Sequence, residues 1–514
     1  MLGRVRTATT NGIDGILVDV EVDVARGLPS FSTVGLPEAA VRESRERVKS
    51  AIQNSGYDFP ARRITVNLAP ADLKKTGTGY DLPIAAGILS TSLSFDPDRL
   101  TRTVLIGELS LDGKLRATRG ILPVVAAAAR AGLAGVLLPR GNLGEASLVR
   151  GIDLHGVDSL PEAVEFLTGE KEIAPHPPMP WPLSEEDPDA GPDFGEVRGQ
   201  AMAKRAMEIA AAGNHNLLLE GPPGSGKTML ARCLPSIMPP MRFEEVLEST
   251  KIYSVAGLLT EGRSVVRARP YRSPHHTISD IGLIGGGQVP RPGEISLAHN
   301  GVLFLDEMAE FKRPVLEVLR QPLEDRVVTI SRASGSMAFP ARFLLVAAMN
   351  PCPCGFLGDE RNRCRCTPNQ VQQYRGRLSG PLLDRIDIHA EAPAVAFDDL
   401  ARSGGEEPSA AIRARVVRAR EIQSDRFRRK KGVVWNSDMD ARDTERHCQL
   451  EESAARLLKA AFERFGISAR AYNRIRKIAR TIADLAGLEE IRAEHVAEAI
   501  QFRRVDRRNT HSLF

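Results

Sequence analysis

Residues 216–230 read NLLLEGPPGSGKTML. The run from Asn216 to Glu220 is apolar enough for a strand. Gly221, Pro222, Pro223, Gly224, Ser225, Gly226, Lys227 and Thr228 follow, and from Met229 the chain is helical in composition. This is G-x-x-x-x-G-K-[ST] between a strand and a helix, the context in which the pattern has a mechanism. Glycines let backbone N–H groups turn inward around phosphate oxygens, and the helix N-terminus adds the positive end of its dipole. Gly221 to Met229 is therefore predicted to cradle ATP, with Lys227 reaching the β- and γ-phosphates and Thr228 ligating Mg²⁺. A chance glycine-rich turn is the plainer alternative, but pattern and context agree against it.

Two more apolar runs extend this reading. In GVLFLDEM, Val302 to Leu305 suits a buried parallel strand, with Asp306 and Glu307 at its C-terminal end. Open α/β sheets bind ligands at that end. Asp306 would complete the Mg²⁺ shell and Glu307 would polarise the attacking water. Alone, such a run is usually a plain strand end. FLLVAAMN is a third strand, ending in Asn350, whose amide could position water or read the γ-phosphate. The alternative for Asn350 is a turn residue before Pro351.

The bulk numbers bound the rest. The chain has 514 residues, 42% hydrophobic and 26% charged, with a formal net charge of +4. That length suggests two to four domains. No apolar run reaches the roughly 18 residues of a membrane span, and the N-terminus lacks a signal-peptide core. A cytoplasmic protein without a membrane role is expected, with thiols reduced rather than paired. The proline-rich, acidic segment 171–192 reads as a linker. A weaker break lies at 401–410. Residues 1–170 read as mixed α/β, 193–400 as the nucleotide-binding core and 401–514 as helical. GILVDVEVDV alternates like a strand, and PEAAVRESRERVKSAIQNSG is a helix with a glycine stop.

Four of the six cysteines fall in NPCPCGFLGDERNRCRC, residues 350–366. Cys352, Cys354, Cys364 and Cys366 could supply four thiolates to a closed, structural Zn²⁺ site. The commoner spacing is Cys-x₂-Cys, so free or transiently paired thiols remain the alternative. Cys233 and Cys448 read as ordinary buried thiols.

The order of these motifs resembles that of AAA+ ATPases. YRSPHHTIS, PGEISLAHNGVLFLDE, MNPCPCG and SGPLLDRIDIH are similar to signatures of the magnesium-chelatase-like branch, and more closely of the ComM/YifB family. The resemblance spans nearly the whole chain. It implies an α/β fold: a parallel-sheet AAA+ P-loop core, a C-terminal helical lid and an N-terminal Lon-protease-like α+β domain. It implies that Arg385 reaches the neighbouring subunit's ATP, so that the working form is a ring, a homo-hexamer. The other reading of Arg385 is a surface charge cluster with Asp384 and Asp387. Arg470 matches the arginine of the second sensor helix, with Arg474 one turn on as the fallback.

The resemblance also implies a DNA partner, single-stranded or branched, and a hexameric helicase that promotes branch migration while transforming DNA is integrated. A chelatase-type ATPase that drives metal insertion into a tetrapyrrole, and a protein remodeller, are the alternatives. Arg332 in the hairpin RVVTISRASGSMAFPARF could contact a DNA backbone, or be a solvated turn charge. The same choice holds for Arg413, Arg415, Arg418, Arg420, Arg426, Arg428, Arg429, Lys430 and Lys431, which form either a phosphate-tracking patch or a solvated helix face. In the Lon-like domain, Tyr80-Asp81 stands where the proteolytic serine would be, and RGILPVV lacks the lysine. No peptidase activity is expected, because nucleophile activation needs both partners.

Overall fold

The computed structural model describes residues 1–182, 191–260, 262–287, 289–332, 335–359, 362–395, 406–430, 432–465 and 467–504. Two sheets organise it. The first has seven strands in the order Ser30–Val34, Arg63–Ala69, Asp14–Ala25, Leu2–Asn11, Thr103–Leu105, Gly135–Pro139, Asp153–Val157. Leu2–Asn11 and Asp14–Ala25 form a long antiparallel ribbon, from Leu2↔Asp23 to Asn11↔Asp14. The alternation seen in the sequence sets its inner face: Val18, Val20, Val22 and Val24 are all buried. The helix Ala39–Asn54 packs Val41, Val48 and Ile52 into the same core, and Gly56 beyond its end is left-handed at φ 83°.

Tyr80 and Asp81 are both buried here. Asp81 accepts from Arg47 Nε at 2.7 Å and Nη2 at 3.0 Å, and from the Leu109 amide at 3.2 Å. Burial pushes its carboxyl up to about 6 in spite of Arg47.

The second sheet has five strands, all parallel, in the order Tyr271–Arg272, Val302–Leu305, Leu344–Met349, Leu217–Glu220, Ile388–Glu391. Its inner strands are apolar on both faces because both faces are covered. Leu217, Leu219, Phe304, Val346 and Ala348 face a core shared with helices Ala201–Gly213 and Lys227–Ile237. Leu218, Leu303, Leu305, Leu345 and Ala347 face a second core with Phe311, Leu316, Leu319 and Leu382. Helices Ser409–Phe427, Glu452–Phe465, Ala469–Leu485 and Ala493–Arg504 pack on the first of these cores. Helix Ala469–Leu485 is followed by a left-handed glycine, Gly487 at φ 71°. Among the described residues, no helix is long and apolar enough to cross a membrane.

Two stretches have partners that the sequence did not reveal. The described part of segment 171–192 is packed. Met179 and Trp181 join Leu122, Leu148, Met241, Phe243 and Val246 in a small apolar cluster, and the Trp181 ring meets Phe243 edge-on at 5.2 Å. Apolar side chains in a proline-rich segment still gain by burial. Residues 183–190 of that segment lie outside the described residues.

The basic stretch 413–431 is not one phosphate-tracking face. Arg415 is paired with Glu208 and Glu407, and Arg426 with Asp484. Arg420 is buried, donating to the Ala211 carbonyl and lying 3.9 Å over the Trp435 ring. Arg428 pairs with Asp425, and Lys430 with Asp440 and Asp443. Arg413, Arg418 and Arg429 are exposed, and Lys431 lies outside the described residues. Helix Ser409–Phe427 packs against helices Ala201–Gly213, Lys227–Ile237 and Ala469–Leu485, and Glu208 and Asp484 on two of them meet its arginines.

The expected hairpin is present: strands Val327–Arg332 and Gly335–Pro340 pair up to Arg332↔Gly335, and residues 333–334 lie outside the described residues. The side chain of Arg332 lies outside the described residues.

Arg47→Ala should destabilise the chain by about 3 kcal/mol in denaturant titration, because it strands a buried charge. Asp81→Ala added to it should cost less than the sum of the two single changes. Additive losses would mean that the pair is not coupled.

Candidate nucleotide site

The strand Leu217–Glu220 ends at the middle of the sheet edge, and the chain turns there through Gly221–Gly226 into helix Lys227–Ile237. Gly224 and Gly226 hold φ of 75° and 87°, the left-handed region that the turn requires. Gly221 is needed for space: a Cβ there would lie 2.0 Å from the Ala392 carbonyl oxygen. Lys227 is 8% exposed. Its ammonium donates to the carbonyls of Gly221 and Pro222, both at 2.8 Å, to Ser225 Oγ at 3.4 Å and to Asn350 Oδ1 at 3.3 Å. Burial lowers its pKa, and Asp306 and Glu307 oppose that. Met229 lies in the first turn of the helix, partly exposed.

The acidic strand is set by register. Val302–Leu305 pairs with Leu344–Met349, Leu305 opposite Ala347, so Asp306 emerges beside the phosphate-binding turn. Thr228 Oγ1 donates to Asp306 Oδ2 at 2.7 Å. A hydroxyl and a carboxylate converging at a helix N-terminus are hard oxygen donors, which suits Mg²⁺ held with phosphate oxygens. Glu307 is left-handed at φ 50° and donates its amide to Asp306 Oδ1 at 3.0 Å. Its side chain is 57% exposed and stands 3.6 Å from His276 Nδ1. Gly221–Thr228, Asp306, Glu307 and Asn350 thus lie together at one end of the sheet.

The arginines do not join this group within one chain. Arg385 donates to the Pro381 carbonyl at 2.5 Å and pairs with Glu324. Arg470 is 76% exposed and lies 3.9 Å from Asp384. Arg474 binds Asp387 at 2.7 Å. Burial disfavours the charge on Asp387, yet Arg474 and His215 hold it below the usual carboxylate range.

The four cysteines also converge. Cys352 Sγ is 3.4 Å from Cys354 Sγ and 3.7 Å from Cys364 Sγ, and Cys354 to Cys364 is 3.6 Å. With Cys366, all four sulfurs lie within 4.8 Å of one another, and none is in a disulfide. A tetrahedron of thiolates at a Zn–S bond of about 2.3 Å has edges of about 3.8 Å, so the donor set fits zinc. Cys233 and Cys448 are buried, as expected.

Three side chains that the sequence did not single out complete the surroundings. Gln200 Nε2 donates to the Ser225 carbonyl at 2.9 Å. Arg375 donates to Glu220 Oε1 at 2.6 Å and to the Pro351 carbonyl at 3.2 Å, tying the phosphate-loop strand to the cysteine loop. His276 lies in the signature YRSPHHTIS, which carried no role in the sequence. No signal in the sequence could have found it, because the run leads out of an edge strand whose place beside the acidic one is known only from the sheet order.

The cysteine loop touches the phosphate loop directly. Gly355 is at φ +85°, and a Cβ there would fall 2.5 Å from Pro223 Cδ. Gly358 has a similar φ of +80° but open space. Gly355→Ala should weaken binding of a fluorescent ATP analogue about tenfold, whereas Gly358→Ala should cost only about 1 kcal/mol of stability and leave affinity unchanged. Equal affinities for both variants would mean that the contact does not shape the site.

Comparison with known proteins agrees with this geometry. The family model for magnesium chelatase subunit ChlI matches 193–400, that for subunit ChlI of Mg-chelatase 20–142, and that for the ChlI C-terminal region 406–503. The chain is 42% identical over 513 residues to the uncharacterized protein YifB of Salmonella typhimurium, covering 99% of this chain and 98% of the relative. It is 43% identical over 508 residues to the competence protein ComM of Haemophilus influenzae, covering 98% and 97%. The chloroplastic magnesium-chelatase subunit ChlI of Oryza sativa is 26% identical over 161 residues, 31% of this chain and 34% of that one. A shared sequence over nearly the full length of two relatives, on a parallel sheet that carries the phosphate loop and the acidic pair, places the chain in the ComM/YifB family of magnesium-chelatase-like AAA+ ATPases.

Proposed function

We propose that this protein is the protomer of a homo-hexameric, ATP-driven DNA motor in the cytoplasm, a branch-migration helicase that acts in recombination of incoming DNA during natural transformation. The observation that carries the ATPase half is the convergence of Lys227, Thr228, Asp306 and Asn350 at one sheet edge. The name of the competence protein ComM supports the DNA half.

Each residue has one task. Lys227 donates hydrogen bonds to the β- and γ-phosphate oxygens of ATP, exchanging loop carbonyls for stronger, charged acceptors. Thr228 and Asp306 would hold Mg²⁺, which would supply charge neutralisation on the phosphates. Glu307 orients and polarises the attacking water, and Asn350 fixes the geometry around the γ-phosphate. Arg385, held by Glu324 in its own chain, turns to the adjoining protomer's nucleotide and stabilises the transferring phosphoryl group. Arg470, exposed on the lid, acts at the same junction, and Arg474 serves to anchor Asp387. Cys352, Cys354, Cys364 and Cys366 would hold zinc, and four protein ligands would make the ion structural. The exposed Arg413, Arg418 and Arg429, and Arg332 near the hairpin tip, supply sequence-independent contacts to DNA phosphates.

The N-terminal unit is a Lon-like domain without peptidase chemistry. Asp81 is committed to Arg47 and Tyr80 is buried, which leaves no exposed nucleophile at that place. A second reading, a chelatase-type motor for inserting metal into a tetrapyrrole, is favoured by the ChlI models that match along the chain.

ATP hydrolysis measured with and without single-stranded or four-way-junction DNA separates the two. The motor reading expects stimulation of about tenfold or more and unwinding or branch migration of the junction. No response to DNA, together with ATP-dependent metal insertion into a porphyrin, would establish the second. Lys227→Ala should abolish hydrolysis under either; normal turnover would falsify the site assignment. Metal analysis of protein purified without added zinc should find about one equivalent per chain, lost in Cys364→Ser. Less than half an equivalent would count against the structural ion.

A further inference from the structure

We infer that His276 is a positioning residue for Glu307, fixing the direction of the carboxylate that activates water. The inference rests on the ATPase reading of this site. Tyr271–Arg272 is the edge strand beside the acidic strand, paired in parallel with Tyr271 opposite Val302 and Arg272 opposite Leu303. Two parallel chains that leave the sheet at the same edge stay neighbours for a few residues, and His276 arrives where Glu307 does. Its Nδ1 lies 3.6 Å from Glu307 Oε2.

Without a partner, Glu307 is a poor general base. Its side chain is 57% exposed on a left-handed residue, so it has several rotamers open to it. His276, by contrast, is 32% exposed and packed against other rings. Its ring stacks on His275 at 4.1 Å between centroids, tilted by 33°, and meets the edge of Phe311 at 6.4 Å. His275 is itself fixed by Thr277, whose hydroxyl lies 2.9 Å from its Nδ1 and whose amide donates to it at 3.4 Å. A ring held by packing can hold a mobile carboxylate, and not the reverse. Exposed ion pairs add little to stability, whereas misplacing a catalytic group by about 1 Å can cost about 10²-fold in rate. His276 therefore acts on turnover and not on folding.

The test is steady-state ATP hydrolysis by full-length variants. His276→Ala should lower kcat about tenfold and leave the KM for ATP within about twofold. His276→Asn, whose amide nitrogen takes the place of Nδ1, should recover most of the loss. In a Glu307→Gln background, His276→Ala should have no further effect, because it acts through that carboxylate. The inference is overturned if His276→Ala keeps wild-type kcat while Lys227→Ala is inactive. It is also overturned if the His276 effect persists undiminished on Glu307→Gln, or if Asn is no better than Ala. An active Lys227→Ala would remove the ATPase reading and this inference with it.

Discussion

Leu217–Glu220 is hydrogen-bonded in parallel on both sides, to Leu344–Met349 and to Ile388–Glu391, with Glu220 opposite Met349 on one flank and Glu391 on the other. The nucleotide site depends on that double register. Parallel strands release their C-terminal ends at one edge. The phosphate-binding turn, Asn350 and Asp306 are therefore neighbours in space while more than a hundred residues separate the turn from Asn350. Asn216, at the start of the strand, pins the register from below. Its side-chain oxygen accepts from the Leu345 amide at 3.1 Å, and its amide nitrogen donates to the Arg385 carbonyl at 2.9 Å. A slip of one residue would turn Leu217 and Leu219 to the wrong core and carry Gly221 away from Asp306.

The same end of the strand meets the lid through buried polar groups. His215 bonds Thr481 Oγ1 at 2.8 Å, and Asn436 donates to Thr481 and to Asp484. Arg426 closes on Asp484 from helix Ser409–Phe427. Asp387 lies between His215 and Arg474. Satisfied networks of this kind select one packing over its alternatives, because any partner left alone in a low-dielectric interior is costly. The lid helices thus have a defined seat on the sheet, and the exposed Arg470 lies beside Asp384, the sequence neighbour of Arg385.

What could be read from the sequence was what is local or strongly periodic. The strand–turn–helix at 216–230, the acidic pair after Val302–Leu305 and the cysteine pairs each carry their chemistry in a few consecutive residues. The valine alternation of Asp14–Ala25 told its own face. What escaped depends on which residues face each other across elements. A run of arginines such as 413–429 shows its charge but not that Glu208, Glu407 and Asp484 neutralise part of it. Trp181 in a proline-rich segment does not reveal the pocket between Leu148 and Phe243. His276 needed the strand order, since its partnership with Glu307 arises from an edge strand of only two paired residues.

Gly355 against Pro223 has a thermodynamic corollary. The turn that carries the sulfur cluster and the turn that carries the phosphates share a van der Waals surface, and Arg375 bridges the strand end on one side to Pro351 on the other. Linkage between two such seats is reciprocal. Whatever free energy an ion among the thiolates contributes to the shape of the phosphate loop, a bound triphosphate returns to the thiolates in equal measure. An ion held there, as proposed, would then resist chelators more strongly when the neighbouring pocket is filled.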